Sequence, residues 1–166
     1  MKKINNKTIS LVAILLSLFI IFGTFSILFF NIKITLQNLP FFISAILFGP
    51  VIGALVGAIG MFISQLLTFG LSATTIIWIM PHTLVGILLG FLSKINKEKY
   101  IFNILISSII LTLLNTLAMY LDSKIMGYYS VAYVFGSLLQ RILISIFMSI
   151  CYIILIPKII NHIKKS

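Results

Sequence analysis

Acidic residues are almost missing from this chain: Glu98 and Asp122 alone stand against twelve lysines and arginines, for a formal charge of +10 over 166 residues. Charged residues of either sign make up only 8%, too few for the water-facing shell that a soluble domain of this length wraps around its core. Cysteine occurs once, as Cys151, which excludes an intrachain disulfide and a thiolate metal cluster. The sequence contains no GxxxxGK[ST] loop, no HExxH and no GxSxG. With His82 and His162 as its two histidines, it lacks the means for ATP, metal-assisted or serine-based hydrolysis. No cofactor or metal is expected, and the chain reads as a binder rather than an enzyme.

What it holds in excess is apolar surface: 61% of residues are hydrophobic and mean hydropathy is +1.24, the composition of an integral membrane protein. A helix needs about 20 apolar residues to cross a bilayer. On that basis the chain divides into segments 8–30, 38–49, 51–69, 74–93, 101–121 and 131–160. The expectation is an all-α bundle of six transmembrane helices forming one integral-membrane domain over 1–166. The second segment is short, and FGPVIG joins it tightly to the third, with Pro50 suited to begin a helix. The basic start followed by an apolar run resembles a signal peptide. It lacks an A-x-A site and further spans follow it, so it reads as the first helix.

Lysine placement orients the bundle. Lys2, Lys3, Lys7, Lys94, Lys97, Lys99, Lys158, Lys164 and Lys165 fall on one side of a six-span arrangement, and Lys33 and Lys124 on the other. Basic residues favour the cytoplasmic side. Both termini are therefore expected in the cytoplasm, with the protein crossing the cell membrane several times. The positive charge reports topology and lipid contact, and nucleic-acid binding is not expected.

Polar groups inside the apolar segments are the candidates for function. Arg141 lies about ten residues into the last segment, roughly 15 Å below its outer start, where burial of a cation costs about 2.5 kcal/mol or more. Three partners are open to it: backbone carbonyls or water reached by snorkelling, the carboxylate of Asp122, or an anionic ligand entering from outside. The ligand is favoured, because a carboxylate or phosphate takes a bidentate bond from the guanidinium. Asn115 and Asp122 are two turns apart and share a face with Met119. Trp78 and His82 are an i, i+4 pair in WIMPH. Gln37, Gln65, Gln140 and Tyr133 complete a set of hydrogen-bonding groups gathered in the outer parts of the bundle. Each has a plainer role as well: Trp78 and the tyrosines at 128, 129 and 133 as interface anchors, His82 as donor to a carbonyl freed by Pro81, Asn115 as interhelical glue.

Small residues carry a different signal. Gly49, Gly53 and Gly57 recur every four positions, with Ala54, Ala58 and Gly60 nearby, giving a groove for close helix packing. Ala13 and Ser17 form another small-xxx-small pair in the first helix.

The run LPFFISAILFGPVIGALVGAIG, the pair in the first helix and the later NTLAMYLDSKIMGYYS together resemble the substrate-binding S components of energy-coupling factor transporters. The resemblance covers nearly the whole chain and is most specific over 39–60, where it looks most like folate-type members. It implies a membrane subunit that captures a water-soluble vitamin, folate-like first and pantothenate next. A separate T subunit and two ATPase subunits would supply energy. It also implies that Ala13 and Ser17 face the T subunit, although the family usually has two alanines there. The vitamin site would be formed by the outer halves of the later helices. A stand-alone facilitator or channel for small solutes is the alternative.

Overall fold

The computed structural model describes residues 6–25, 27–29, 32–95 and 99–165. Lys2, Lys3, Lys97 and Glu98 lie outside the described residues. The element order is α1 (Asn6–Thr24), β1 (Ile27–Phe29), β2 (Ile32–Ile34), α2 (Asn38–Phe48), α3 (Pro50–Phe69), α4 (Thr75–Ile95), α5 (Tyr100–Ile125), α6 (Val131–Phe135) and α7 (Leu138–Lys165). Five spans are long and apolar enough to cross a membrane: α1, α3, α4, α5 and the stretch Val131–Ile163.

The sixth expected span, α2, has 11 residues, about 16 Å of helix against a hydrocarbon core of about 30 Å. Its position explains its composition. Leu39, Pro40, Phe41, Phe42, Ile43, Ser44 and Ala45 are all buried, so α2 is apolar on every side because protein surrounds it. Phe41 and Phe42 form the centre of a core shared with Phe19 of α1, Val85 and Leu89 of α4, Ile104 and Leu111 of α5, and Tyr152 and Ile156 of α7.

Helix α3 shows how the sequence divides inside from outside. Val51, Leu55, Ile59, Phe62 and Leu66 are exposed and recur at helical spacing, a stripe for lipid. Gly53, Val56, Gly57, Gly60, Ser64 and Gln65 lie on the opposite, buried face. That face packs on α4 at backbone distance. A Cβ at Gly57 would sit 2.7 Å from the carbonyl oxygen of His82, and one at Gly86 would sit 2.5 Å from the Gly53 backbone. The glycine periodicity read from the sequence is therefore a packing seam within the chain.

Two boundaries differ from expectation. The first helix ends at Thr24, not near residue 30, and Ile27–Phe29 pairs antiparallel with Ile32–Ile34. Apolarity continues across the break, so hydropathy does not mark it, and a short apolar run fits strand and helix equally. The last expected helix is broken at Gly136 and Ser137 into α6 and α7. Arg141 consequently sits in the first turn of α7 rather than far along one continuous helix. Helix α5 in turn runs past its expected end at residue 121, taking Asp122 into the helix as a buried residue.

Candidate functional site

A cavity of about 440 Å3 opens among α3, α4, α5, α7 and the segment that follows β2. Each helix contributes residues at helical spacing: Met61, Gln65 and Phe69 from α3, Trp78 and His82 from α4, Ser108, Thr112, Asn115 and Met119 from α5. From the break before α7 comes Ser137, and from α7 come Arg141, Ser145, Met148 and Tyr152. Thr35, Gln37 and Asn38 close one side. That segment is tied to the bundle at two points. Gln37 Nε2 donates to Ser64 Oγ at 3.3 Å, and the Tyr152 hydroxyl donates to the Thr35 carbonyl at 3.3 Å. Gly23 makes room for the first tie, because a Cβ there would lie 2.8 Å from the Gln37 amide nitrogen.

The structure brings together Arg141, Asn115, His82, Trp78 and Gln37 from the expected set, with Gln65 beside them. Asp122, Gln140 and Tyr133 do not line the cavity. Asp122 Oδ2 accepts a hydrogen bond from the Tyr128 hydroxyl, which turns the carboxylate toward the outer connection and away from Arg141. That bond raises the Tyr128 phenol above its ordinary pKa, with burial adding to the shift. Gln140 is exposed, since one residue along a helix is a rotation of about 100° away from Arg141. Tyr133 packs edge-on against Tyr128, with centroids 5.4 Å apart. Tyr129 packs likewise on Tyr120, with Lys124 Nζ 4.0 Å from its ring centre. The outer tyrosines thus contact one another rather than lining the cavity.

Arg141 finds neutral partners. One Nη donates to the carbonyl of Val134, freed by the break between α6 and α7. The other lies 3.4 Å from Met119 Sδ, and Nε has no partner among the described residues. Carbonyl pairing, one of the three open alternatives, is present, but it accounts for only part of the guanidinium. His82 is 5% exposed, its ring set edge-on to Phe19 at 5.7 Å and tilted against Phe41 at 5.6 Å. Its Nδ1 has no partner among the described residues, so it does not bond a carbonyl freed by Pro81.

Six buried side-chain polar atoms lack partners among the described residues, and four of them belong to cavity residues: His82 Nδ1, Ser108 Oγ, Arg141 Nε and Ser145 Oγ. An unmet buried polar group costs about 1 to 3 kcal/mol. Unmet polar groups are thus concentrated on residues that border one hollow, and hollows with a few polar groups are where small ligands commonly bind. No group of three His, Cys, Asp or Glu able to hold a metal occurs among the described residues. Several lining residues escaped sequence reasoning, yet most lie in register with those it found. Ser137 and Ser145 are one turn either side of Arg141, Ser108 and Thr112 extend the face of Asn115, and Met61 and Phe69 flank Gln65.

Ala13 and Ser17 lie together on the exposed face of α1, and the Ser17 hydroxyl donates back to the Ala13 carbonyl at 2.9 Å.

No curated protein matches the chain. Residues 3–165 match the family described as ECF-type riboflavin transporter, S component, where ECF denotes energy-coupling factor. This corrects the folate-type membership, with pantothenate next, expected from residues 39–60. That stretch builds the buried α2 and the α3–α4 seam, so it reports how the bundle packs rather than which vitamin is held. With nearly its whole length matched, the chain belongs to the ECF-type riboflavin transporter S component family, a multi-pass membrane transporter component rather than an enzyme.

Proposed function

We propose that this protein captures a flavin from the outer side of the membrane and presents it for ATP-driven import. The observation that carries the reading is the cavity of about 440 Å3 with four unmet polar atoms on its lining residues. That volume falls in the range of small-molecule sites. The lining offers both kinds of partner the ligand needs. Riboflavin joins a flat tricyclic ring to a polyol, and the cavity residues include Trp78, Phe69 and Met61 from α3 and α4 as well as hydroxyls and an amide from α5. The ring is assigned to the aromatic and thioether groups, and the polyol to Ser108, Thr112 and Asn115.

Energy must come from other chains, because this one carries no nucleotide-binding loop. The partners are accordingly a T subunit and two ATPase subunits. The exposed pair Ala13 and Ser17 on α1 supplies the contact with the T subunit. The hydroxyl of Ser17 is already bonded to its own helix, so the face it presents is small and smooth. The topology is six crossings, counting the enclosed α2, with both termini cytoplasmic. In that orientation the cavity opens at the end of the bundle opposite Lys94 and Lys99.

Mass spectrometry of small molecules released from the purified, denatured protein tests the assignment. A flavin in about equimolar amount is expected. Folate or pantothenate in its place, or protein that takes up no added flavin, would contradict it.

A further inference from the structure

We infer that the cavity contains, at Arg141, a subsite for an anionic substituent of its ligand, so that a flavin ending in a phosphate monoester binds more tightly than neutral riboflavin. This rests on the flavin reading above and adds a charge requirement to it. Three observations carry it.

Among the described residues no acidic side chain lines the cavity. The carboxylate closest along α5, Asp122, is engaged by Tyr128. The partners that Arg141 does have are a carbonyl and a thioether, neither of which neutralises its charge, and its Nε has none among the described residues. A guanidinium offers five donors in one plane, so the structure leaves both donors and charge unspent in a medium where an unpaired cation is expensive.

Ser137 and Ser145 lie one helical turn before and after Arg141, and both line the cavity. The Ser145 hydroxyl is buried without a partner among the described residues. A planar cation flanked by two hydroxyl donors suits a phosphate, which offers several strong acceptor oxygens and the compensating charge. A neutral polyol would satisfy the hydroxyls and leave the charge uncompensated. Arg141 also stands in the first turn of α7, where the helix dipole has the same sign as the guanidinium and favours an anion further.

The test is titration of the full-length protein, in phosphate-free buffer and non-ionic detergent, with riboflavin and separately with riboflavin 5′-phosphate. The phosphorylated flavin is expected to bind about tenfold more tightly. Arg141→Gln should reduce its affinity at least about tenfold more than it reduces riboflavin's, and Arg141→Lys should keep part of the preference, because charge is retained. Equal or weaker binding of the phosphorylated flavin by the unmodified protein would overturn the proposal without any variant. So would an equal loss for both ligands in Arg141→Gln. If the two flavins bind equally and phosphatidylglycerol weakens riboflavin binding only when Arg141 is present, the cation serves a lipid headgroup and the proposal is wrong. Riboflavin binding without a phosphate advantage sinks this inference alone, whereas absence of any flavin binding sinks the flavin reading with it.

Discussion

The α3–α4 seam and the α5–α7 wall are built from the same kind of apolar helix, yet they are finished in opposite ways. Along the seam, glycines bring backbones so close that a Cβ at Gly86 would meet Gly53 at 2.5 Å. Across the bundle, α5 and α7 also pack on each other, but they border the cavity, and Ser108, Arg141 and Ser145 keep polar atoms with no partner among the described residues. His82 joins the two regions. Its carbonyl oxygen lies against Gly57 in the seam, while its ring borders the hollow. One region therefore provides rigidity and the other holds unmet hydrogen-bonding capacity, and the first fixes the geometry of the second.

The contrast can be broken most forcefully in the seam. Gly86→Leu has no space to occupy except by pushing α3 from α4, and it should cost about 3 kcal/mol or more. Thermal unfolding in detergent would read this as a large loss of stability, with ligand binding lost as a consequence. A small stability change would mean that the seam is not close-packed.

On the cavity side, Trp78→Ala should weaken flavin binding by about 1 to 3 kcal/mol, the scale of a lost stacking partner for a flat ring. Stability should change less than binding does. Titration of the variant by flavin fluorescence measures this, and unchanged affinity would return Trp78 to the role of an interface anchor.

Ser108→Ala and Ser145→Ala sharpen the contrast through the sign of their effects. Each removes a buried hydroxyl that has no partner among the described residues, so each should leave the ligand-free protein as stable or more stable, by up to about 1 kcal/mol. Each should also weaken the ligand by a similar amount. Destabilisation of the empty protein would show that these hydroxyls are structural. The smallest effect belongs to Tyr128→Phe, which deprives Asp122 of its donor outside both regions. A loss of about 1 kcal/mol in stability is expected, with flavin affinity nearly unchanged. A large change in affinity would reconnect Asp122 to the cavity.

Much of this architecture is legible in the sequence because the membrane simplifies the code. Long apolar runs give α3, α4 and α5 nearly to their ends, and glycines every four residues announce the seam. Arg141, Asn115, His82, Trp78 and Gln37 were visible as polar residues in apolar surroundings. Harder to see were features that change direction without changing polarity: the hairpin after Thr24 and the break at Gly136 both occur within continuous apolar sequence. The break matters most, because it frees the Val134 carbonyl for Arg141 and sets Ser137 beside it. Asp122 was expected among the ligand-binding residues and does not line the cavity, because helical spacing places residues on a face but says nothing about a competing donor such as Tyr128. The serines of α5 and α7 went unnoticed because serine is unremarkable in a membrane helix until an empty space is seen next to it.

The account stands on the claim that the unmet polar atoms around this cavity are met by a flavin. Isothermal titration of riboflavin into the purified full-length protein tests it most directly. A saturable 1:1 isotherm is predicted, with Kd below about 1 μM, or about 8 kcal/mol of binding free energy. Absence of saturable heat from protein that remains folded would contradict it.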